Sequence, residues 1–158
     1  MTVLLDLSAT YSQHLDQALI ERTVLATLKH QGISPDADLS VVITDDTRLH
    51  QLNRDFLGID APTDVLSFPA GHTDPDTNRK YLGDVIISFP TACRQADQVG
   101  HSISSEITLL IVHGILHLLG HDHMKPGEKS SMWSAQTEIL DSLGLDIKSP
   151  EFFTESEG

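Results

Sequence analysis

The sequence predicts an α+β fold, a small mixed β-sheet of about four strands with about five helices around it. Three observations carry this. Short β-branched runs are interspersed with longer stretches of helical periodicity. The length, 158 residues, favours one domain around one core, spanning 1–158 with an acidic tail from about residue 149. One helix-length stretch is so apolar that it must be packed on several sides.

In chain order, "VLLDLS" (Val3–Ser8) reads as a short strand. In "YSQHLDQALIERTVLATLKHQG", Leu15, Ala18, Leu19, Val24, Leu25 and Leu28 form a helical stripe that stops at Gly32. "DLSVVIT" (Asp38–Thr44) is a strand. Asp45 caps a helix through about Phe56, with Leu49, Leu52 and Phe56 inward. "TDVLSFP" (Thr63–Pro69) is a strand ended by Pro69, and "AGHTDPDTNRKY" has loop composition. "LGDVIIS" (Leu82–Ser88) is the clearest strand, and a helix with Pro90 in its first turn ends near Gly100. Ser102 opens the apolar helix "SISSEITLLIVHGILHLLG", which Gly120 ends in a left-handed conformation. After Pro126 and Gly127, a last helix is anchored by Met132, Trp133, Ile139, Leu140 and Leu143.

Composition narrows the function. No apolar run approaches the roughly 20 residues of a membrane span. The N-terminus lacks a basic segment, so no signal peptide is read. Cys93 is the only cysteine, which excludes an internal disulfide and fits a cytoplasmic location; its plain reading is a buried free thiol. The net charge of −13 argues against a broad grip on nucleic acid. Any nucleic-acid role must come from a local site, a metal or a partner.

The run "VHGILHLLGHDHM" places His113, His117, His121 and His123 within a few residues. His113 and His117 are one helical turn apart on one face. If Gly120 turns the chain back, His123 supplies a third imidazole, with His121 the alternative. Three neutral imidazoles and one open position are the catalytic arrangement for a single zinc ion. Asp122 is placed to orient a ligand imidazole or to accept a proton. A helix C-terminus alone favours histidines, but that does not explain His113 within an apolar face, where an unpartnered imidazole is costly. The spacing is that of a zincin-like metal helix, yet the general-base Glu of H-E-x-x-H is replaced by Gly114. Peptide hydrolysis needs proton delivery to a poor leaving group, so RNA, with its internal 2′-hydroxyl nucleophile, is the better substrate class.

"HGILHLLGHDH" (His113–His123), "PTDVLSFP" (Pro62–Pro69) and "LGDVIIS" (Leu82–Ser88) resemble, in order, the three motifs of the YbeY family, bacterial metal-dependent hydrolases regarded as endoribonucleases of ribosomal RNA maturation. The resemblance implies an α+β fold with a small mixed sheet, zinc on His113, His117 and His123, and RNA as substrate. It also implies roles in maturing the small-subunit ribosomal RNA 3′ end and in ribosome quality control, with ribosomal proteins or ribosome-associated factors as partners. Two positions depart from the family. His121 stands where many members have Tyr, and Leu57 where an Arg usually contacts phosphate. Arg54, one turn earlier, is the candidate replacement, against the plainer reading of a solvated surface residue.

Thr63, Asp64 and Ser67 are candidates to line the cleft, against a reading as strand-start hydrogen bonding. Asp84 is a candidate support for the site from behind. Lys125 and Lys129 are candidate phosphate contacts, against a solvated face. Two further classes stand beside the endoribonuclease: a metallopeptidase-like hydrolase, and a non-catalytic ribosome-associated metal-binding factor.

Overall fold

The strand Ala37–Thr44 (β2) has a strict alternation of buried and half-buried residues, which makes it a central strand with both faces covered to different degrees. Ala37, Leu39, Val41 and Ile43 enter the main core, and Val42 packs in a second cluster on the opposite face. In this computed structural model residues 2–121 and 126–145 are described. The acidic tail, Asp122, His123 and Lys125 lie outside the described residues.

β2 is flanked by β1 (Thr2–Leu7) and β4 (Lys80–Ser88), both parallel to it, and β3 (Val65–Thr73) closes the sheet antiparallel to β4. The order is β1-β2-β4-β3. The described helices are α1 (Gln17–His30), α2 (Asp46–Leu57), α3 (Phe89–Val99), α4 (Ile103–Leu118) and α5 (Pro126–Ser142). This is the mixed four-stranded α+β architecture the sequence predicts. Its caps are also the predicted ones. Asp45 and Ser102 each accept a backbone N–H of the first turn, at Arg48 and Ser105. Pro90 sits in the first turn of α3, and Gly100 ends that helix at φ 77°.

Three expectations are corrected. The buried stripe of α1 is Ile20, Thr23, Val24, Thr27 and Leu28, whereas Ala18 and Leu25 face solvent. Thr23 and Thr27 tolerate burial because each hydroxyl donates to the carbonyl four residues back, at 2.7 Å. Phe56 is 69% exposed, because only Leu49 and Leu52 of α2 reach the sheet. Pro69 does not end its strand. β3 is an edge strand, so a residue without N–H is tolerated at position 69, and pairing with β4 resumes after an irregularity between Pro69 and His72.

α4 is the central helix, packed by α1, α3, α5, β3 and β4. Every residue from Glu106 to Leu116 is buried, as its apolar composition predicts. Glu106 is the exception in chemistry. Burial pushes its carboxyl above the usual range, against the pull of His101, whose Nε2 lies 2.5 Å from Oε1. A raised folded value means its contribution to stability is full below the ordinary Glu pKa and declines as pH rises from there. Glu106→Gln is therefore expected to melt higher than the parent chain near neutral pH, the gap closing towards about pH 4. Thermal unfolding across that range measures it.

No described helix is long and apolar enough to cross a membrane. Cys93 is half-buried against the core, and burial pushes its thiol up.

Candidate functional site

Position 114 has no room for a side chain. A Cβ there would lie 2.5 Å from Val85 Cγ1 and 3.2 Å from Val65 Cγ2. Gly114 is thus a point of close approach between α4 and the strands β3 and β4, and Ser67 Oγ donates to its carbonyl at 2.7 Å. The general-base Glu of a zinc peptidase cannot occupy this place, because the position points into the sheet.

With that face of α4 committed to the sheet, His113 and His117 turn elsewhere. Their rings lie 4.6 Å apart, inclined at 75°. His113 is fully buried, and its Nδ1 lies 3.0 Å from Oε1 of Gln136 on α5. A carboxamide oxygen only accepts, so Nδ1 is the donor, and Nε2 is the nitrogen through which a metal would be bound. A hydrogen bond from one ring nitrogen that reserves the other is the usual arrangement behind a metal-ligating histidine. The donor set therefore fits a divalent metal: two imidazoles on a rigid helix, one with its Nδ1 committed to Gln136. Among the described residues no group of three or more His, Cys, Asp or Glu forms a metal cluster; the third predicted ligand, His123, lies outside them. Gln136→Ala is expected to weaken zinc affinity about 10–100-fold, read by competition with a chromogenic chelator.

His117 is half-buried and opens on a cavity of about 550 Å³, which it lines with Gln31, Ile33, Pro69, Gly71, Lys80, Leu82 and residues Leu118 to Gly120. Beside it runs a chain of hydrogen bonds. His121 Nε2 lies 2.7 Å from Gln31 Oε1, Gln31 Nε2 lies 2.9 Å from His30 Nδ1, and His30 Nε2 lies 2.7 Å from Glu138 Oε2. The directions are fixed by Glu138, which as a carboxylate only accepts. His30 donates to it, Gln31 donates to His30, and His121 donates to Gln31. His121 therefore uses Nε2 as a donor inside the fold, as His113 uses Nδ1.

Of the other predicted residues, Thr63, Asp64 and Ser67 lie about the start of β3, where Ser67 meets α4, and Arg54 and Asp84 lie on the α2 side of the sheet. Asp64 is buried, and its Oδ1 accepts from Val65 N at 2.8 Å and from Thr63 Oγ1 at 3.3 Å. Its Oδ2 accepts from Gln95 Nε2 at 3.2 Å. Thr63, Asp64 and Ser67 thus brace the start of β3 and its contact with α4. Arg54 is on α2, across the sheet from α4, in a solvent-exposed pair with Asp55 at 3.2 Å. Asp84 accepts from Tyr81 Oη and lines a second cavity on the α2 side, so the structure does not bring it behind the histidines.

Sequence reasoning missed Gln136, Gln31 and Lys80. Gln136 had a signal, since it lies one turn after Met132 on the buried stripe of α5, where a polar residue requires a partner. Gln31 and Lys80 reach the cavity only through the tertiary fold.

A buried histidine on an apolar helix, clamped to a mixed sheet and followed one turn later by a histidine on an open cleft, is a site that suits a small α+β enzyme. Comparison with known proteins agrees. Residues 7–144 match the family described as Endoribonuclease YbeY, and the chain belongs to that family. The Endoribonuclease YbeY of Roseiflexus sp. (strain RS-1) is 42% identical over 151 residues, covering 91% of this chain and 94% of that protein. The one of Chloroflexus aurantiacus (strain ATCC 29366 / DSM 635 / J-10-fl) is 45% identical over 137 residues, covering 82% and 88%. The solution structure of TM1509 from Thermotoga maritima matches over 100% of this chain and 96% of its own, with a TM-score of 0.55 at 23% identity, a likeness of fold.

Proposed function

We propose that this chain is a zinc-dependent endoribonuclease of ribosomal RNA maturation, acting in the cytoplasm at the 3′ end of the small-subunit RNA and in ribosome quality control. The single observation that carries the metal site is the buried His113, its Nδ1 proton held by Gln136 and its ring against that of His117. His113, His117 and His123 would hold one zinc ion. When bound, that ion supplies Lewis-acid stabilisation of the charge that develops on a phosphodiester.

The chain's own residues supply the rest. Gly114 and Ser67 fix α4 against the sheet, so the imidazoles sit on a rigid element rather than a loop. Gln136 keeps His113 in one tautomer. The cavity beside His117 gives a strand of RNA access from the surface. Asp122 orients His123 or accepts a proton, and Lys125 meets phosphate. The net charge of −13 makes ribosomal proteins or ribosome-associated factors the natural means of presenting the RNA.

Gly114 favours RNA over peptide, because the base that peptide hydrolysis requires has no room. The test is to offer the zinc-loaded protein both end-labelled small-subunit ribosomal RNA and a mixed peptide library. Internal RNA cuts with no peptide turnover are expected. Sustained peptide turnover with intact RNA would replace this reading with the peptidase. A 2′,3′-cyclic phosphate on the product would identify the RNA 2′-hydroxyl as nucleophile.

A further inference from the structure

We propose that Lys80 is a phosphate contact of this enzyme, holding the RNA strand beside the position of His117; the assignment rests on the reading of the chain as an endoribonuclease. Among the described residues that line the cavity His117 opens on there is no carboxylate, and Lys80 is the one lysine or arginine. In a chain of net charge −13, a lysine in the wall of this cleft is a local attraction for a polyanion.

Three described arginines, by contrast, are paired with carboxylates. Arg79, next in the chain, grips Asp38 through Nε and Nη2. Arg94 pairs with Asp46, and Arg54 with Asp55. Among the described residues Lys80 makes no ion pair. Its side chain is exposed while its backbone is fixed. Lys80 opens β4, pairs with Ala37 of β2 and Thr73 of β3, and donates its N–H to Asp36 O at 3.2 Å. Strand alternation sends Tyr81 to the α2 face, where it meets Ser40 and Asp84, and Leu82 to the α4 face. Lys80 shares the Leu82 side, which is why its stem reaches the cavity and not the opposite face.

The cavity on that opposite face, about 520 Å³, carries Asp6 and Asp84 beside Arg48. Two carboxylates against one guanidinium repel a polyanion. The α4-side cleft is the one suited to RNA, and a lysine there recognises phosphate as a point charge, without reading sequence.

The test compares the zinc-loaded full chain with Lys80→Ala and Lys80→Arg. Binding of fluorescein-labelled single-stranded RNA is followed by anisotropy across a salt series, together with cleavage kinetics. Lys80→Ala is expected to raise Kd about tenfold and to reduce the slope of log K against log salt by about 0.7. KM should rise with kcat held within about twofold, zinc content and melting temperature should not change, and Lys80→Arg should retain binding. Unchanged Kd and salt slope in Lys80→Ala, beside a wild type that binds, would overturn this assignment alone. So would a loss of zinc in Lys80→Ala, since the lysine would then act on the site's architecture. A wild type that neither binds nor cuts RNA overturns the endoribonuclease reading and this one with it.

Discussion

His117→Ala is expected to lower RNA cleavage by about 10³-fold, because stabilisation of developing charge by a bound metal amounts to several kcal/mol. The same variant should bind zinc much more weakly while remaining folded. His117 is only half-buried and sits at the mouth of the cavity, in the last turn of α4. Its loss leaves the Gly114 contact and the apolar run of the helix intact. His113→Ala would be a poorer test. That ring is fully buried and hydrogen-bonded to Gln136, so its removal leaves both a void and an unsatisfied carboxamide. Metal analysis, thermal unfolding and single-turnover cleavage on the His117→Ala protein separate loss of metal from loss of fold.

Gly83→Ala is expected to be the most destabilising single methyl in the sheet, by about 3 kcal/mol or more. Gly83 has φ 138°, in the region that favours glycine. An added Cβ would lie 2.2 Å from Phe68 O and 2.9 Å from Leu118 Cδ1. The carbonyl belongs to the paired edge strand and cannot yield without breaking the β3–β4 ladder. Leu118 follows His117, so any retreat of α4 also moves the face that carries His113 and His117. Urea denaturation should show the loss of stability, and residual folded protein should show weakened zinc binding. Gly120→Ala is the control: Gly120 also has positive φ, but no described residue lies within 4 Å of an added Cβ, so the expected cost is that of backbone strain, about 1 kcal/mol.

Much of the fold was legible because local chemistry and tertiary structure agree. Asp45, Ser102, Pro90 and Gly100 act where their capping and turn preferences place them. The alternation in β2 and the solid apolar run of α4 state how many faces each buries. The failures have specific causes. The phase of α1 was misread because Thr23 and Thr27 are buried with their hydroxyls satisfied by their own helix, which an apolar stripe does not reveal. β3 passes through Pro69 because it lies at the edge of the sheet, and edge position is a property of topology.

The site divides in the same way. His113 and His117 declare themselves by spacing. Their supports do not, since Gln136 is 23 residues from His113 and Gln31 is 90 from His121. Asp64 and Ser67 sit in a motif that suggested a cleft, yet their polar atoms are used to start β3 and to seat α4. Short polar side chains at a strand start serve backbone and substrate equally well, so their type and spacing alone do not assign them.

The most direct test of the central claim is cleavage of end-labelled small-subunit ribosomal RNA by the purified chain before chelation, after chelation, and after zinc is restored. The account predicts internal cuts that vanish when the metal is stripped and return when one equivalent of zinc per chain is added. Cleavage that continues unchanged in the stripped protein would contradict it, because the histidines on α4 would then have no part in the reaction.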